Sequence, residues 1–220
     1  MTVSEALLSP TLFWLMSLAQ GVMLAACVAT APWRSVWRVP ERWHLLFGAA
    51  VGLLLLWQVS GRITPHVHLH LLGMTTVTLM LGPQLAILAG SFAALGAALT
   101  GQAALPLVLV NGLLNATLPA LVTAALLKAA LHYGPRNLFI YMLGVGFGGG
   151  ALSMLAVLSS MLLLFALAGE ARGLREWASP LLLLAMFPEG FVNGAVVSAL
   201  AVYKPHWLQT YDDHYFLDGV

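Results

Sequence analysis

The run Thr64-Pro65-His66-Val67-His68-Leu69-His70-Leu71-Leu72-Gly73-Met74 places three of the chain's seven histidines within five residues. Imidazole nitrogen is a ligand for nickel, copper, zinc, cobalt and iron. Backbone shape decides which rings converge. In an extended segment His66, His68 and His70 face one side; in a helix His66 and His70 share a face and His68 turns away. Met74 follows His70 by one helical turn and offers a soft sulfur. The run lies at the mouth of an apolar segment, and ionisable groups at membrane depth are functional candidates by default. It reads as a transition-metal site with His66, His68, His70 and Met74 as candidate ligands. Without a metal, the same rings would bond headgroups, carbonyls or water.

A second constellation centres on Glu189, the one acidic residue inside an expected span interior. A carboxylate there must be protonated, hydrogen-bonded or paired. Asn193 lies one helical turn on, and Asn111 and Asn115 form a matching face on another span. One reading is a polar clamp, with neutral Glu189 bonded to amides and locking those two spans together. The other is that the four residues line a permeation path or support the histidine ligands from behind. The stretches Asn111-Gly112-Leu113-Leu114-Asn115-Ala116 and Glu189-Gly190-Phe191-Val192-Asn193-Gly194 share the pattern polar–Gly–x–x–Asn–small, and paired interrupted helices are one pointer to a transporter site. In the tail, Tyr211-Asp212-Asp213-His214-Tyr215 offers carboxylates beside an imidazole, but its aromatic residues suit docking on a partner or the membrane surface better. There is no G-x-x-x-x-G-K-[ST] and no H-E-x-x-H, and spacing assembles no serine nucleophile, so the chain reads as a non-enzyme that does not hydrolyse ATP itself.

The elements that must position these residues follow from composition. Of 220 residues, 60% are hydrophobic and 8% charged, the net charge is +1, and the mean hydropathy is +0.92. A soluble domain carries roughly 25% charged residues. The chain is therefore expected to be a single integral membrane domain over residues 1–220, an all-α polytopic bundle in the lipid bilayer, with no nucleic-acid partner implied. Long apolar runs argue against a barrel. Cys27 can form no intrachain disulfide. About seven spans are expected: Thr11–Ala31, Leu45–Ser60, His70–Leu81, Gln84–Thr100, Leu107–Leu131, Leu138–Gly169 and Pro180–Tyr203. The third is too short to cross alone, so a re-entrant segment is the alternative there. The sixth is long enough to tilt, project or kink near Gly146–Gly150. Arg34, Arg38 and Arg42 against Glu41 make Pro32–His44 a cytoplasmic loop, with Trp33, Trp37 and Trp43 as interfacial anchors. That puts the N-terminus outside and the C-terminus inside, with Gly61–Leu69, Gly101–Pro106 and Glu170–Ala178 as outer loops. The four-spaced pairs Gly144/Gly148 and Gly146/Gly150 read as helix-packing positions.

Four stretches carry a family likeness. His70-Leu71-Leu72-Gly73 followed by Leu81-Gly82-Pro83, the span Asn111-Gly112-Leu113-Leu114-Asn115, the span Phe187-Pro188-Glu189-Gly190, and an opening that ends Leu8-Ser9-Pro10 together resemble the substrate-capture permease of energy-coupling-factor transporters for cobalt and nickel, the CbiM/NikM-like group. The resemblance implies a seven-helix membrane fold with the N-terminus folded into the outer face. It implies a metal held by the terminal amine, a second-position histidine and the histidine that His70 matches. It also implies partner subunits, a transmembrane coupling protein and ATPases, in a bacterial cell membrane. This chain has Thr2, Ser4, Glu5 and Ala6 where the family pattern has histidine, proline, aspartate and glycine. His66 and His68 are then the substitute donors, and copper, zinc or iron join cobalt and nickel as expected ions. Two rival readings belong to other classes: a non-transporting membrane metalloprotein that binds haem or copper or inserts metal into a partner enzyme, and a structural bundle that binds a partner through its tail.

Overall fold

The structure, a computed structural model, describes residues 2–3, 7–64, 67–135, 137–169, 171–212 and 215–216, with residues 2, 62–64, 67–68 and 171–182 described by backbone alone. A short strand β1 (Thr2–Val3) precedes α1 (Pro10–Thr30). Ser9 Oγ accepts the Leu12 N–H at 3.3 Å, and Pro10 takes the first helical position, where a missing N–H costs nothing. Then come α2 (Trp33–Arg38), α3 (Pro40–Gln58), β2 (Gly61–Thr64), β3 (Val67–Leu69), α4 (Met74–Leu81) and α5 (Pro83–Leu99). After a turn, α6 (Val108–Gly112) runs through a widened π-helical stretch, Leu113–Thr117, into α7 (Leu118–Tyr133). Pro119 lacks an N–H and crowds the carbonyl four residues back, at Asn115; the wider π turn accommodates it. A second π stretch, Ile140–Phe147, leads into α8 (Gly148–Leu167), and α9 (Ala171–Tyr203) ends the bundle.

Pro10–Thr30, Leu105–Tyr133, Ile140–Leu167 and Leu183–Tyr203 are long and apolar enough to cross a membrane. The protein is an all-α, multi-pass membrane bundle, as composition requires, with one three-stranded sheet attached. Strand order is β1-β3-β2, both pairs antiparallel, with Thr2 opposite His68 and Val3 opposite Val67. This sheet was not expected from sequence; β1 is two residues long and offers no alternation to read.

The third span is too short to cross alone, as expected, and three other expectations change. The third span begins with non-helical residues 70–73, and α4 is only eight residues, about 12 Å by helix rise, so it does not cross alone. Gly82, at φ 78° and ψ 162°, breaks it from α5. The expected loop at Glu170–Ala178 is helical from Ala171 onward; Arg172, Leu174, Arg175 and Glu176 are all good helix formers, and charge alone does not stop a helix. The expected loop Pro32–His44 holds α2 and the first turn of α3, which starts at Pro40 instead of Leu45. Of the two glycine pairs, only Gly146 and Gly150 lie closer to another helix than ordinary van der Waals contact allows. A Cβ on Gly150 would lie 2.9 Å from the Glu189 carbonyl oxygen, and one on Gly190 would lie 2.8 Å from the Phe147 carbonyl oxygen. Around Gly144 there is only ordinary contact with its own helix, at Ile140, and around Gly148 only ordinary van der Waals contact, at Leu143 and Leu126.

Both ends of α4 are held by the last part of the chain. Leu72 N–H donates to Glu189 Oε2 at 2.7 Å and Gly73 N–H to Oε1 at 2.8 Å. Asn193 Nδ2 donates to Glu189 Oε1 at 2.7 Å, while its Oδ1 accepts the Thr76 N–H at 2.9 Å and the Thr76 hydroxyl at 2.8 Å. The expected clamp between Glu189 and the asparagines of the fifth span is thus replaced by one between α9 and α4. The Glu189 carboxyl is thus hydrogen-bonded to two backbone N–H groups at the start of α4 and to the Asn193 amide. At the other end, Gln209 N–H donates to the Met80 carbonyl at 3.2 Å, and Thr210 donates to the Leu79 carbonyl through N–H at 3.3 Å and through Oγ1 at 2.9 Å. Tyr141 donates its hydroxyl to Thr210 Oγ1 at 2.8 Å, and Tyr211 and Phe216 pack on the Tyr141 ring. Tyr215 OH donates to the Leu131 carbonyl at 2.7 Å. The tail's described aromatic residues therefore pack on this chain; Asp213 and His214 lie outside the described residues. Trp207 Nε1 donates to Glu41 Oε1 at 2.7 Å and holds that carboxyl below its ordinary range, with His206 adding a smaller effect.

Replacing Glu189 with Ala leaves two buried backbone N–H groups without their acceptor, at about 1–3 kcal/mol each. The thermal unfolding midpoint in detergent should fall further than for Glu189→Gln, which keeps one acceptor oxygen. Gly150→Ala should also lower it, by an overpacking cost of about 1–3 kcal/mol, because both obstacles are backbone atoms of α9; Gly144→Ala should leave it unchanged.

Candidate metal site

His70 leaves β3 directly into the non-helical stretch that precedes α4, and its side chain is 5% exposed. Ring Nδ1 lies 2.9 Å from the Leu71 carbonyl oxygen. A carbonyl can only accept, so Nδ1 carries the proton and Nε2 carries the lone pair. Metal-binding histidines are commonly oriented by such a bond from the second nitrogen. Trp57, near the end of α3, lies against the imidazole with ring centroids 5.1 Å apart and planes at 32°, and its Nε1 donates to the Leu72 carbonyl at 3.0 Å. One tryptophan therefore covers the ring and ties down the backbone behind it. Glu189 holds the next two N–H groups, so residues 70–73 are gripped from both sides.

Beside His70 is a cavity of about 10 Å³, walled by Trp57, Ser60, Gln102, Asn111 and Asn115 together with alanines of α5 and the following turn. That is close to the space one water needs. Among the described residues, these polar side chains are of uncharged types. Asn111 Oδ1 accepts the Val3 N–H at 3.2 Å, which anchors β1 to α6, and Asn115 Nδ2 donates to the Asn111 carbonyl at 3.0 Å. An electron-pair donor of imidazole type, neutral amides and a dry wall suit a borderline-soft transition metal better than calcium or magnesium, which take carboxylate and water oxygens.

His70, Asn111 and Asn115 are therefore brought together from different parts of the chain. His66 lies outside the described residues. His68 is described by backbone only, in β3 opposite Thr2 and Arg62, so its ring is not placed. Met74 is fully buried, but its sulfur packs on Gly90, where a Cβ would lie 2.9 Å from Sδ, and it is not part of the cavity wall. Glu189 and Asn193 act on α4 and not on the cavity. Among the described residues no group of three or more His, Cys, Asp or Glu is arranged for a metal.

Sequence reasoning missed Trp57, Ser60 and Gln102, which carry no motif. It also missed two buried polar networks. Gln20 bridges Ser91 (3.0 Å) and Thr117 (2.7 Å), joining α1, α5 and the first π stretch; Thr75, Thr123 and Ser153 converge between α4, α7 and α8. A glutamine inside an apolar span was the available signal for the first. Lone serines and threonines gave none for the second.

Comparison with known proteins agrees with this architecture. A solved structure described as that of a truncated transition metal transporter superimposes with a TM-score of 0.70 at 16% identity, covering 94% of this chain and 99% of that one. No curated protein sequence matches the chain. The family model described as "Cobalt uptake substrate-specific transmembrane region", CbiM, matches residues 3–207. With nearly its whole length matched, the chain belongs to the CbiM family and is a component of a membrane transporter, not an enzyme.

Proposed function

We propose that the chain is the substrate-capture subunit of a transition-metal uptake system, a single membrane domain over residues 1–220, with His70 as a principal ligand of the transported ion. The observation that carries this reading is the buried His70 ring, oriented by the hydrogen bond between Nδ1 and the Leu71 carbonyl, in the wall of a cavity of about 10 Å³. His68 and His66 are the further donors proposed from sequence, and Asn111 and Asn115 shape the wall. Cobalt or nickel is the favoured cargo by family, with copper, zinc or iron as the alternatives that a changed N-terminus allows. The solved structure that this fold matches is described as a transition metal transporter. The arginine-rich segment at Arg34, Arg38 and Arg42 supports an inward C-terminus and a metal site near the outer face. A bacterial cell membrane is the proposed location. Because the sequence carries no phosphate-binding loop, a coupling protein and ATPases must supply the energy. Haem binding at His70 is disfavoured, since a macrocycle does not fit a space suited to one water.

Purified wild-type protein, loaded with cobalt or nickel and desalted, should retain metal by elemental mass spectrometry. His70→Ala should reduce retention by at least the ~10–100-fold that loss of a mere supporting partner costs a metal site, and His68→Ala should reduce it too. Equal metal content in all three proteins would remove the proposal.

A further inference from the structure

A cleft of about 410 Å³ opens beside the last turns of α7. Ala124, Leu127, Lys128, Leu131 and His132, at three- and four-residue spacing, form one wall from a single face of that helix. Thr78 of α4, Pro83 at the start of α5 and Thr210 of the tail form the other. Neither threonine has a proton left for a ligand: Thr78 Oγ1 donates to the Met74 carbonyl at 2.7 Å, and Thr210 Oγ1 to the Leu79 carbonyl at 2.9 Å. The side-chain donors that remain are the Lys128 ammonium and the His132 imidazole, one turn apart and exposed. Neither has a carboxylate partner among the described residues. Nor are they needed to cap α7. The Ala130 carbonyl accepts the Gly134 N–H at 2.9 Å, and the Leu131 carbonyl accepts the Tyr215 hydroxyl at 2.7 Å. The cleft thus sets two adjacent basic groups beside an apolar wall, with no counter-charge on the described chain.

We propose that the cleft holds an anionic phospholipid, with its phosphate at Lys128 and His132 and an acyl chain against Ala124, Leu127, Leu131 and Pro83. The bonds from Tyr215 to Leu131 and from Trp207 to Glu41 tie the tail to the end of α7 and the start of α3. Lys128, His132, Arg42 and Lys204 therefore belong to one end of the bundle. Positive charge gathered at one membrane face meets the leaflet rich in anionic lipid, and basic pockets between spanning helices on that side bind phosphate headgroups. A lysine ammonium is a compact charge with three donors, matched to the oxygens of a phosphodiester. The imidazole adds a directional donor, and Tyr133 stands edge-on to its ring, with centroids 4.4 Å apart and planes at 90°. Free phosphate would meet the same two groups but leave the apolar wall bare; a diacyl lipid covers both. Bound there, the lipid touches Thr210, which caps α4, and Pro83, which opens α5, and so braces the junction of those two helices.

The full-length protein is delipidated in a neutral detergent and titrated with dioleoyl phosphatidylglycerol, with dioleoyl phosphatidylcholine, whose choline offsets the phosphate charge, or with inorganic phosphate. Native mass spectrometry reads bound lipid, and thermal unfolding reads the effect on stability. Wild type should retain one phosphatidylglycerol more tightly than phosphatidylcholine and unfold at a higher temperature with it; inorganic phosphate should not raise the midpoint. Lys128→Gln should weaken phosphatidylglycerol binding about 5-fold, the effect of one basic residue near an anionic leaflet, and His132→Gln should weaken it too. Ala124→Phe, which fills the cleft and keeps both basic groups, should also weaken it. Lys204→Gln, at the same end but outside the cleft, should leave it unchanged. Equal retention of the two lipids, equal stabilisation by inorganic phosphate, unchanged binding in Ala124→Phe, or equal losses in Lys128→Gln and Lys204→Gln each overturn the proposal. The wild-type comparison decides even if a variant fails to fold.

Discussion

An eight-residue helix buried in a bundle leaves its first N–H groups and its last carbonyls without partners inside the helix. In a membrane no water reaches them, and each unmet group costs several kcal/mol. α4 is such a helix, and the rest of the architecture is arranged around that requirement. Glu189 and Asn193, one turn apart on α9, take up the N–H groups at its start. Gln209 and Thr210, just beyond α9, donate to the carbonyls at its end. The motif that does the first task does a second on its other side: Gly190 and Gly194 follow the two polar residues and let α9 approach Phe147, while Gly150 of α8 meets the Glu189 carbonyl. Close backbone approach and polar capping are therefore one requirement. If the glycines were larger, α9 would stand away from α8 and its carboxylate would shift relative to α4.

That constraint reaches the candidate metal site through four residues. His70 stands immediately before the segment whose N–H groups bind Glu189 and whose carbonyl at Leu72 binds Trp57. With the backbone held on both sides, the bond from Nδ1 to the Leu71 carbonyl fixes the orientation of the ring. The opposite wall is positioned by a different device. Val3 in β1 bonds Asn111 on α6, and β1 pairs with β3, the strand that leads into His70. The small sheet thus closes a loop of contacts from the N-terminus to the histidine and back, which two residues of strand could not sustain without the asparagine anchor.

The class of the protein was legible in its sequence because composition alone decides whether a chain can cover itself with polar surface. His70, Asn111, Asn115, Glu189 and Asn193 were legible as candidates because a polar side chain in an apolar span must have a partner. What could not be read was which partner. Glu189 and Asn193, one turn apart, do bond each other, yet the other donors Glu189 uses are backbone N–H groups of Leu72 and Gly73, which every sequence possesses. Met74 illustrates the same limit. Its spacing from His70 suits a ligand, but the neighbouring stretch 70–73 is not helical, and the vacancy left by Gly90 receives the sulfur instead. The helix through 171–178 was missed because polar composition was taken as a loop signal, whereas a stop needs glycine or proline chemistry of the kind found at Gly169, with its φ of 78°.

The disposition of charge separates a passing ion from a resident one. A carboxylate in the cavity wall would offset much of the cost of drawing a divalent cation out of water, and would hold it correspondingly hard. Among the described residues the polar side chains of this wall are amides, a hydroxyl, an indole and an imidazole, while Glu189 is committed to α4 and the residues just before it. On the reading proposed above, affinity then comes from geometry and ligand softness, not from net charge. A site of that kind selects its metal but does not trap it, and the carboxyl that might have done so is used to hold the helix behind the site. In a family whose members take up their metal and must give it up again, placing the carboxylate one layer behind the ligand secures orientation at His70 without adding a counter-charge that would slow release.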